Sequence, residues 1–311
     1  LKTRYFNKLQ FDDSGENVIK TSTNNKKLID EINWYKQIPN DISELVPKIS
    51  DSSVVQNPYI KLQYIKHPTL SELWLYGEFS SDFWKEIINE LFIIIQKFKK
   101  HNHHVTKQEY NSIYFQKTQD RINELVKNNE IFKEIFEQDF IFINSKKLKN
   151  WKSMINEIKE KINIMFNEDD NCLVHGDLYF SNILYDSKKR NFKLIDPRGK
   201  WGQGIAGDIK YDIAKIRHSI VGGFDTITNG LYSAKRQGEN RIEYNVFVSK
   251  NNQTIRNELD NIIERNWKLD EIKMIEGLLF ISMLPLHSDN LERQLALFCI
   301  GIERLNEIFG M

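Results

Sequence analysis

His175-Gly-Asp-Leu-Tyr-Phe-Ser-Asn182 runs into Ile183-Leu-Tyr185, a polar turn from Asp186 to Asn191, and Phe192-Lys-Leu-Ile-Asp196. With the apolar lead-in Cys172-Leu-Val174, the stretch reads as loop, strand, hairpin turn, strand, with polar residues where each strand begins or ends. Four residues separate Asp177 from Asn182, and Asp196 closes the second strand. A carboxylate, an amide and a second carboxylate, gathered on a loop and paired strand ends, suit one task. They can hold a hydroxyl nucleophile and Mg²⁺ around a nucleoside triphosphate. Magnesium prefers hard oxygen ligands and keeps several waters, so two protein ligands plus phosphate oxygens suffice. An Asp beside the acceptor hydroxyl orients it and takes its proton as the phosphoryl group moves.

Downstream, a glycine-rich loop from Gly199 to Gly207 leads into Asp208-Ile-Lys-Tyr-Asp212 and a helix beginning near Ile213. Asp208 reads as an N-cap. Asp212 reads as a buried carboxylate at the helix start, accepting backbone N–H groups of the His175 loop. Twelve of the fourteen glycines lie from Gly176 onward, which marks this half as the place of tight turns and close approaches.

His175-Gly-Asp-x4-Asn182, then Ile195-Asp196, then Gly207-Asp208-x2-Tyr-Asp212, resembles the aminoglycoside phosphotransferase and choline kinase superfamily. Tyr114-x2-Lys117-Thr118-x2-Arg121 and Lys215-x2-His218-Ser219, along with the Ile195-Asp-Pro-Arg-Gly199 run, look like a subgroup tied to bacterial surface-polysaccharide biosynthesis. The resemblance implies an α+β, bilobal protein-kinase-like fold, with a small β-rich N-lobe and a larger, mainly helical C-lobe. The expected division is 1–66 for the nucleotide-covering N-lobe and 67–311 for the catalytic and acceptor-binding C-lobe. It implies Asp177 as catalytic base, with His175 bracing the catalytic loop, and Asn182 and Asp196 as Mg²⁺ ligands. It also implies ATP or GTP as phosphoryl donor and a small-molecule hydroxyl acceptor.

The N-terminal sixty-odd residues fit the small lobe. Arg4 to Phe11 and Asn17 to Ser22 read as a hairpin about Asp12-Asp-Ser-Gly15, Lys26 to Gln37 as a helix stopped by Pro39, and Val46 to Ser50 and Tyr59 to Ile65 as further strands. By the resemblance, Lys20 grips the nucleotide phosphates and Glu31 pairs with it. Backbone groups at Gln63 and Ile65, before the break at Lys66-His67-Pro68-Thr69, would meet the base. No G-x-G-x-x-G precedes Lys20, and no Ala-Pro-Glu segment is present, which counts against a protein kinase. Ser14 and Gly15 are the only candidates for a phosphate-facing turn there.

Helical spacing covers Asp82–Lys100 behind a Ser81 cap, Glu109–Lys127, Asn129–Gln138 and Ser145–Phe166. Helices are expected to dominate after Ile213 too, over Gln253–Asn266, Asp270–Leu284 and about Asn290 to Phe309. Acceptor candidates are Arg198, His218, Lys117 and Arg121. Lys117 and Arg121, at i and i+4, equally fit a solvated helix face, and His218 equally fits a structural histidine.

The 44 Lys and Arg against 43 Asp and Glu leave a charge of +1, which gives no electrostatic case for nucleic acid or an anionic membrane as partner. No run reaches the roughly 20 apolar residues of a membrane span. Two distant thiols, Cys172 and Cys299, make no disulfide framework and suit the cytoplasm. The start at Leu1 rather than Met admits a further domain, as in a larger bifunctional chain. Three readings stand: a metabolic small-molecule O-kinase, an aminoglycoside or other antibiotic kinase, and a noncatalytic nucleotide-binding module.

Overall fold

In the computed structural model, which describes residues 7–247 and 252–310, Asn17–Ser22 is a strand (β2) between β1 (Asn7–Phe11) and β4 (Tyr59–Gln63), with β3 (Ile49–Ser53) beyond β4. All pairings are antiparallel, and Lys20 lies opposite Leu9 on one side and Ile60 on the other. The β1–β2 turn closes through Gly15 at φ 69°, a left-handed conformation that costs glycine nothing. The expected strand residues Arg4 to Phe6 lie outside the described residues.

Helix α1 (Asn25–Gln37) follows β2. Asn24 caps it by accepting the Lys27 amide at 3.1 Å, and Ile38 turns to extended backbone ahead of Pro39. Its buried face is Leu28, Glu31, Ile32, Trp34 and Tyr35. The strand expected over Val46–Ser50 begins instead at Ile49, because Pro47 has no amide to give a ladder and Val46 is buried by packing ahead of it.

The chain divides into two compact units, one of residues 1–79, 90–104 and 169–212, the other of 80–89, 105–168 and 213–311. Besides the four-stranded sheet and α1, the first unit holds two small antiparallel pairs. Strand β7 (Asn171–Leu173) pairs with β10 (Ala206–Asp208), and β8 (Ile183–Asp186) with β9 (Asn191–Leu194). The second pair is anchored by Tyr185 N–H on Pro68 O (2.9 Å) and Leu194 N–H on Leu45 O (2.7 Å).

The second unit is mainly helical, and it corrects the sequence reading in four places. The helix expected over Ser145–Phe166 starts only at Trp151, because Phe140–Ile143 (β5) and Lys146–Lys149 (β6) form a hairpin. Its two turn residues, Asn144 and Ser145, sit at φ 46° and 68°, the conformation a two-residue hairpin demands. Tyr232–Arg236 (β11) and Arg241–Val246 (β12), unexpected from the sequence, extend that hairpin into a sheet of order β11-β12-β5-β6. The cap of the Ser81–Lys99 helix is Ser80, whose Oγ accepts the Phe83 amide at 3.2 Å. The expected helix Glu109–Lys127 runs from Lys107 to Asn128 with a π turn at Ser112–Gln116. Near the C-terminus Leu269–Met283 and Leu291–Phe309 pack closely, Gly277 against Leu305 and Gly301 against Ile281. Among the described residues no helix is long and apolar enough to cross a membrane.

Candidate active site

The ammonium of Lys20 is the node of the site, and it lies within the first unit. Its Nζ donates to Glu31 Oε1 and Oε2 at 2.9 and 2.8 Å and to Asp196 Oδ1 at 2.7 Å. Lys20 and Glu31 are buried, whereas the Asp196 side chain is 51% exposed. Burial works against the charge on Lys20, but Glu31 and then Asp196 outweigh it and raise its pKa. Burial pushes Glu31 up to about 7 against the pull of Lys20, with the like charge of Asp196 adding to the rise. One ammonium against two carboxylates leaves surplus negative charge, and the exposed Asp196 is where it meets solvent.

The strand expected to close at Asp196 stops at Leu194, and Asp196 stands two residues beyond it at φ 54°, a left-handed conformation that breaks the strand and that Asp tolerates better than most residues. One step earlier the Ile195 amide donates to Asn182 O at 3.0 Å, continuing the Ile183–Leu194 pairing, so residues 182 and 196 lie at one end of the hairpin. Asn182 is buried, and its Nδ2 donates to Asp177 O at 2.9 Å. That bond fixes which end of the amide is nitrogen, and leaves Oδ1 as the oxygen donor.

These residues fit a hard cation: an amide oxygen of fixed orientation and an accessible carboxylate beside surplus negative charge. Among the described residues no cluster of three or more His, Cys, Asp and Glu could hold a metal. A two-ligand Mg²⁺ site completed by phosphate and water needs none.

The segment carrying Asp177 is held by its backbone. Asp212, at the start of the Ile209–Ile220 helix, accepts the His175 amide on Oδ2 at 2.7 Å and the Gly176 amide on Oδ1 at 2.8 Å. Asp208 Oδ1 accepts the Lys210 amide at 3.0 Å, as an N-cap does. Gly176 sits at φ 76°, with the place of a Cβ only 2.7 Å from Arg198 Cβ, so a larger residue is excluded there. His175 is buried; its Nδ1 accepts the Asp177 amide at 3.3 Å, and burial brings its pKa down to about 4. A ring held neutral with Nδ1 occupied braces the loop. Asp177 itself is half-buried.

Arg198 is engaged inside the unit: its Nε donates to Lys200 O, and its Nη1 to Tyr211 Oη, both at 3.0 Å. Gln63 donates its amide to Lys48 O at 2.9 Å. The chain after it borders an open groove lined by Tyr64, Lys66, His67, Leu73 and Tyr76. Ser14 lies in the β1–β2 turn, where its hydroxyl donates to Asp12 Oδ1 at 2.8 Å.

The remaining acceptor candidates belong to the second unit. Arg121 Nη1 donates to Ser282 O at 2.8 Å. His218 is fully buried, with Phe224 and Phe280 both 4.2 Å from its ring. Lys117 is half-buried on the helix after the π turn. The sequence reading missed Trp34, whose Nε1–H donates to Val174 O at 2.8 Å, and the close approach of Gly199 to α1. For Trp34 the signal was its place three residues after Glu31, on the same helix face.

The structure matches APH(2'')-IIa, solved as a ternary complex with streptomycin and ATP, at a TM-score of 0.52 and 13% identity, over 99% of this chain and 90% of that one. It matches ADP-bound aminoglycoside phosphotransferase APH(2'')-Ib at 0.53 and 12% identity, over 98% of this chain and 90% of that one. The chain has the fold of the aminoglycoside phosphotransferases. No family model and no curated protein matches its sequence. Identities this low carry the protein-kinase-like architecture of the aminoglycoside phosphotransferases, with its β-rich N-terminal part and mainly helical remainder, and not their substrate.

Proposed function

We propose that the protein is an ATP- or GTP-dependent, Mg²⁺-dependent phosphotransferase acting on a hydroxyl of a small molecule, with Asp177 as the base. The observation that carries this reading is the three-way contact of Lys20 with Glu31 and Asp196, beside an Asn182 amide whose oxygen is left for a ligand. Residues 1–66 would cover the nucleotide. Because the Gln63 amide is already donated to Lys48, the base would meet the Gln63 carbonyl and the Ile65 amide.

Lys20, held in place by Glu31, would contact the phosphates. Asn182 and Asp196 would hold Mg²⁺, which when bound supplies charge neutralisation at the phosphate oxygens. Asp177 would orient the acceptor hydroxyl and take its proton, on a loop that Asp212 and neutral His175 keep from moving. Two buried free cysteines fit work in the cytoplasm.

The acceptor class we favour is a neutral, zwitterionic or anionic sugar, amino alcohol or related metabolite. No acidic run of the kind that would complement a polycation follows Asp196 in the sequence, and of the cations there Lys215 and Arg217 are buried, Arg217 against Asp260 and Glu276. An aminoglycoside acceptor is the second reading, favoured by the streptomycin in one structural neighbour. A nucleotide-consumption screen with ATP and GTP against sugars, amino alcohols, amino acids and aminoglycosides tests both. Consumption with a sugar or amino alcohol supports the first reading, consumption only with aminoglycosides the second, and none with any acceptor removes the phosphotransferase reading.

A further inference from the structure

We infer that Trp34 is a positioning residue that locks the Lys20–Glu31 pair to the segment carrying Asp177, so that α1 and the catalytic loop move as one body. The inference rests on the phosphotransferase reading above for its kinetic consequence, but its structural content stands apart from that reading.

Glu31 and Trp34 are three residues apart on the buried face of α1. Glu31 reaches the Lys20 ammonium, whereas Trp34 reaches the opposite partner, the carbonyl of Val174 at 2.8 Å. Val174 is the residue just ahead of His175-Gly176-Asp177. It lies one step past the β7–β10 ladder, and its own amide goes to Ile205 O at 3.3 Å. The indole N–H therefore ties α1 to the backbone that carries the base. The Trp34 ring also stands edge-on to His175, with centroids 5.7 Å apart at 76°. His175 in turn accepts the Asp177 amide.

A second contact fixes the other end of the same lever. Gly199 lies against the α1 backbone so closely that a Cβ would come 2.5 Å from Asp30 C and Glu31 N. The helix is thus pinned by Trp34 to the segment before the base and by Gly199 to the loop after Asp196. A pivot of α1 that freed Glu31 from Lys20 would have to break the indole bond, lose the edge-on contact with His175 and part from Gly199 together. Such a helix does not act as an on–off switch. It holds the phosphate-gripping ammonium and the base at a fixed spacing, the kind of orientation whose loss slows turnover with little change in binding.

The test is a double-mutant cycle of Trp34→Phe and Glu31→Gln, read by steady-state nucleotide turnover normalised to folded protein, with water or an identified alcohol as acceptor. Trp34→Phe keeps an aromatic ring and removes the N–H. It should lower kcat about tenfold with the nucleotide KM within about twofold, and have little further effect once Glu31 is Gln. Unchanged kcat, or the full loss repeated in the Glu31→Gln background, would overturn the inference. Native-state hydrogen exchange on the wild-type protein without nucleotide supplies a readout that needs neither a folded variant nor turnover. The amides of α1 and of 174–177 should open in one step with matching protection; an α1 that opens separately overturns the lock. Absence of turnover in the wild type would count against the phosphotransferase reading alone, because the exchange result still decides the coupling.

Discussion

Asp212 receives the amide of Gly176 on one carboxylate oxygen at 2.8 Å while its other oxygen takes the amide of His175 at 2.7 Å. Two adjacent buried N–H groups are thereby satisfied by one side chain, and Gly176 is free to adopt the φ of 76° that brings its chain against Arg198. The loop ahead of Asp177 is set by this clamp and not by regular secondary structure.

Asp212→Asn removes one acceptor and aims an NH₂ group at a backbone N–H. We expect a loss of about 2–4 kcal/mol, seen as a lower denaturation midpoint, because a charge-assisted bond is lost and a buried donor is left unpaired. Catalytic turnover should fall with it even at temperatures where the variant is fully folded.

Lys20→Met should destabilise the protein by about 3–5 kcal/mol near pH 8, since it strips the partner from a buried carboxylate. Glu31 is already pushed up to about 7 with Lys20 present and rises further without it. The variant's deficit should therefore shrink as the pH falls and Glu31 takes a proton. Chemical denaturation at pH 8 and pH 6 measures this, and nucleotide affinity should drop about 10- to 100-fold in the same variant.

His175 titrates at about 4 in the folded protein against an ordinary 6.5. Between those values the unfolded chain holds a proton that the folded one does not, so stability rises with pH across the window. The contribution is fully present above pH 6.5 and is lost as the pH falls towards 4, an amount of about 3 kcal/mol. His175→Gln should flatten that part of the stability–pH curve by a like amount, whatever its effect at neutral pH.

Gly199→Ala and Gly238→Ala separate backbone strain from close contact. Both glycines have positive φ, 87° and 73°, but only Gly199 has α1 where the new methyl would go. The Gly238 change should cost about 1–2 kcal/mol. The Gly199 change should cost clearly more and should weaken nucleotide binding, because α1 must shift and carries Glu31 with it. Denaturation midpoints and nucleotide titrations of the pair settle the comparison.

The residues that now lie together in the first unit were legible wherever local chemistry and spacing carried the signal. Asn182 and Asp196 flank a hairpin that short apolar runs about a polar turn announce, and Asp177 lies in the loop just ahead of it. Lys20 and Glu31 lie on a strand and a helix whose boundaries the sequence placed to within a residue. The failures have a physical cause as well. Lys146-Lys-Leu-Lys149 carries helix-forming residues and became a strand only because Asn144 and Ser145 adopt left-handed backbone and Phe140–Ile143 lies within reach. Strand β12 pairs in parallel with β5 across about a hundred residues, a tertiary match that no window of sequence contains. Trp34 carries no local signal of its partner, since its bond to Val174 joins positions 140 residues apart. Which acceptor candidates reach a substrate was the least legible of all, since Arg198 and Arg121 spend hydrogen bonds on Tyr211 and Ser282, partners that only the folded chain supplies.

The most direct measurement is phosphoryl transfer by wild type and Asp177→Asn side by side, with Mg²⁺–nucleotide binding measured by calorimetry on the same preparations. The account predicts that the substitution abolishes transfer while nucleotide binding stays within about threefold of wild type, because Asp177 acts on the acceptor and not on the nucleotide. Transfer by Asp177→Asn at the wild-type rate would contradict it.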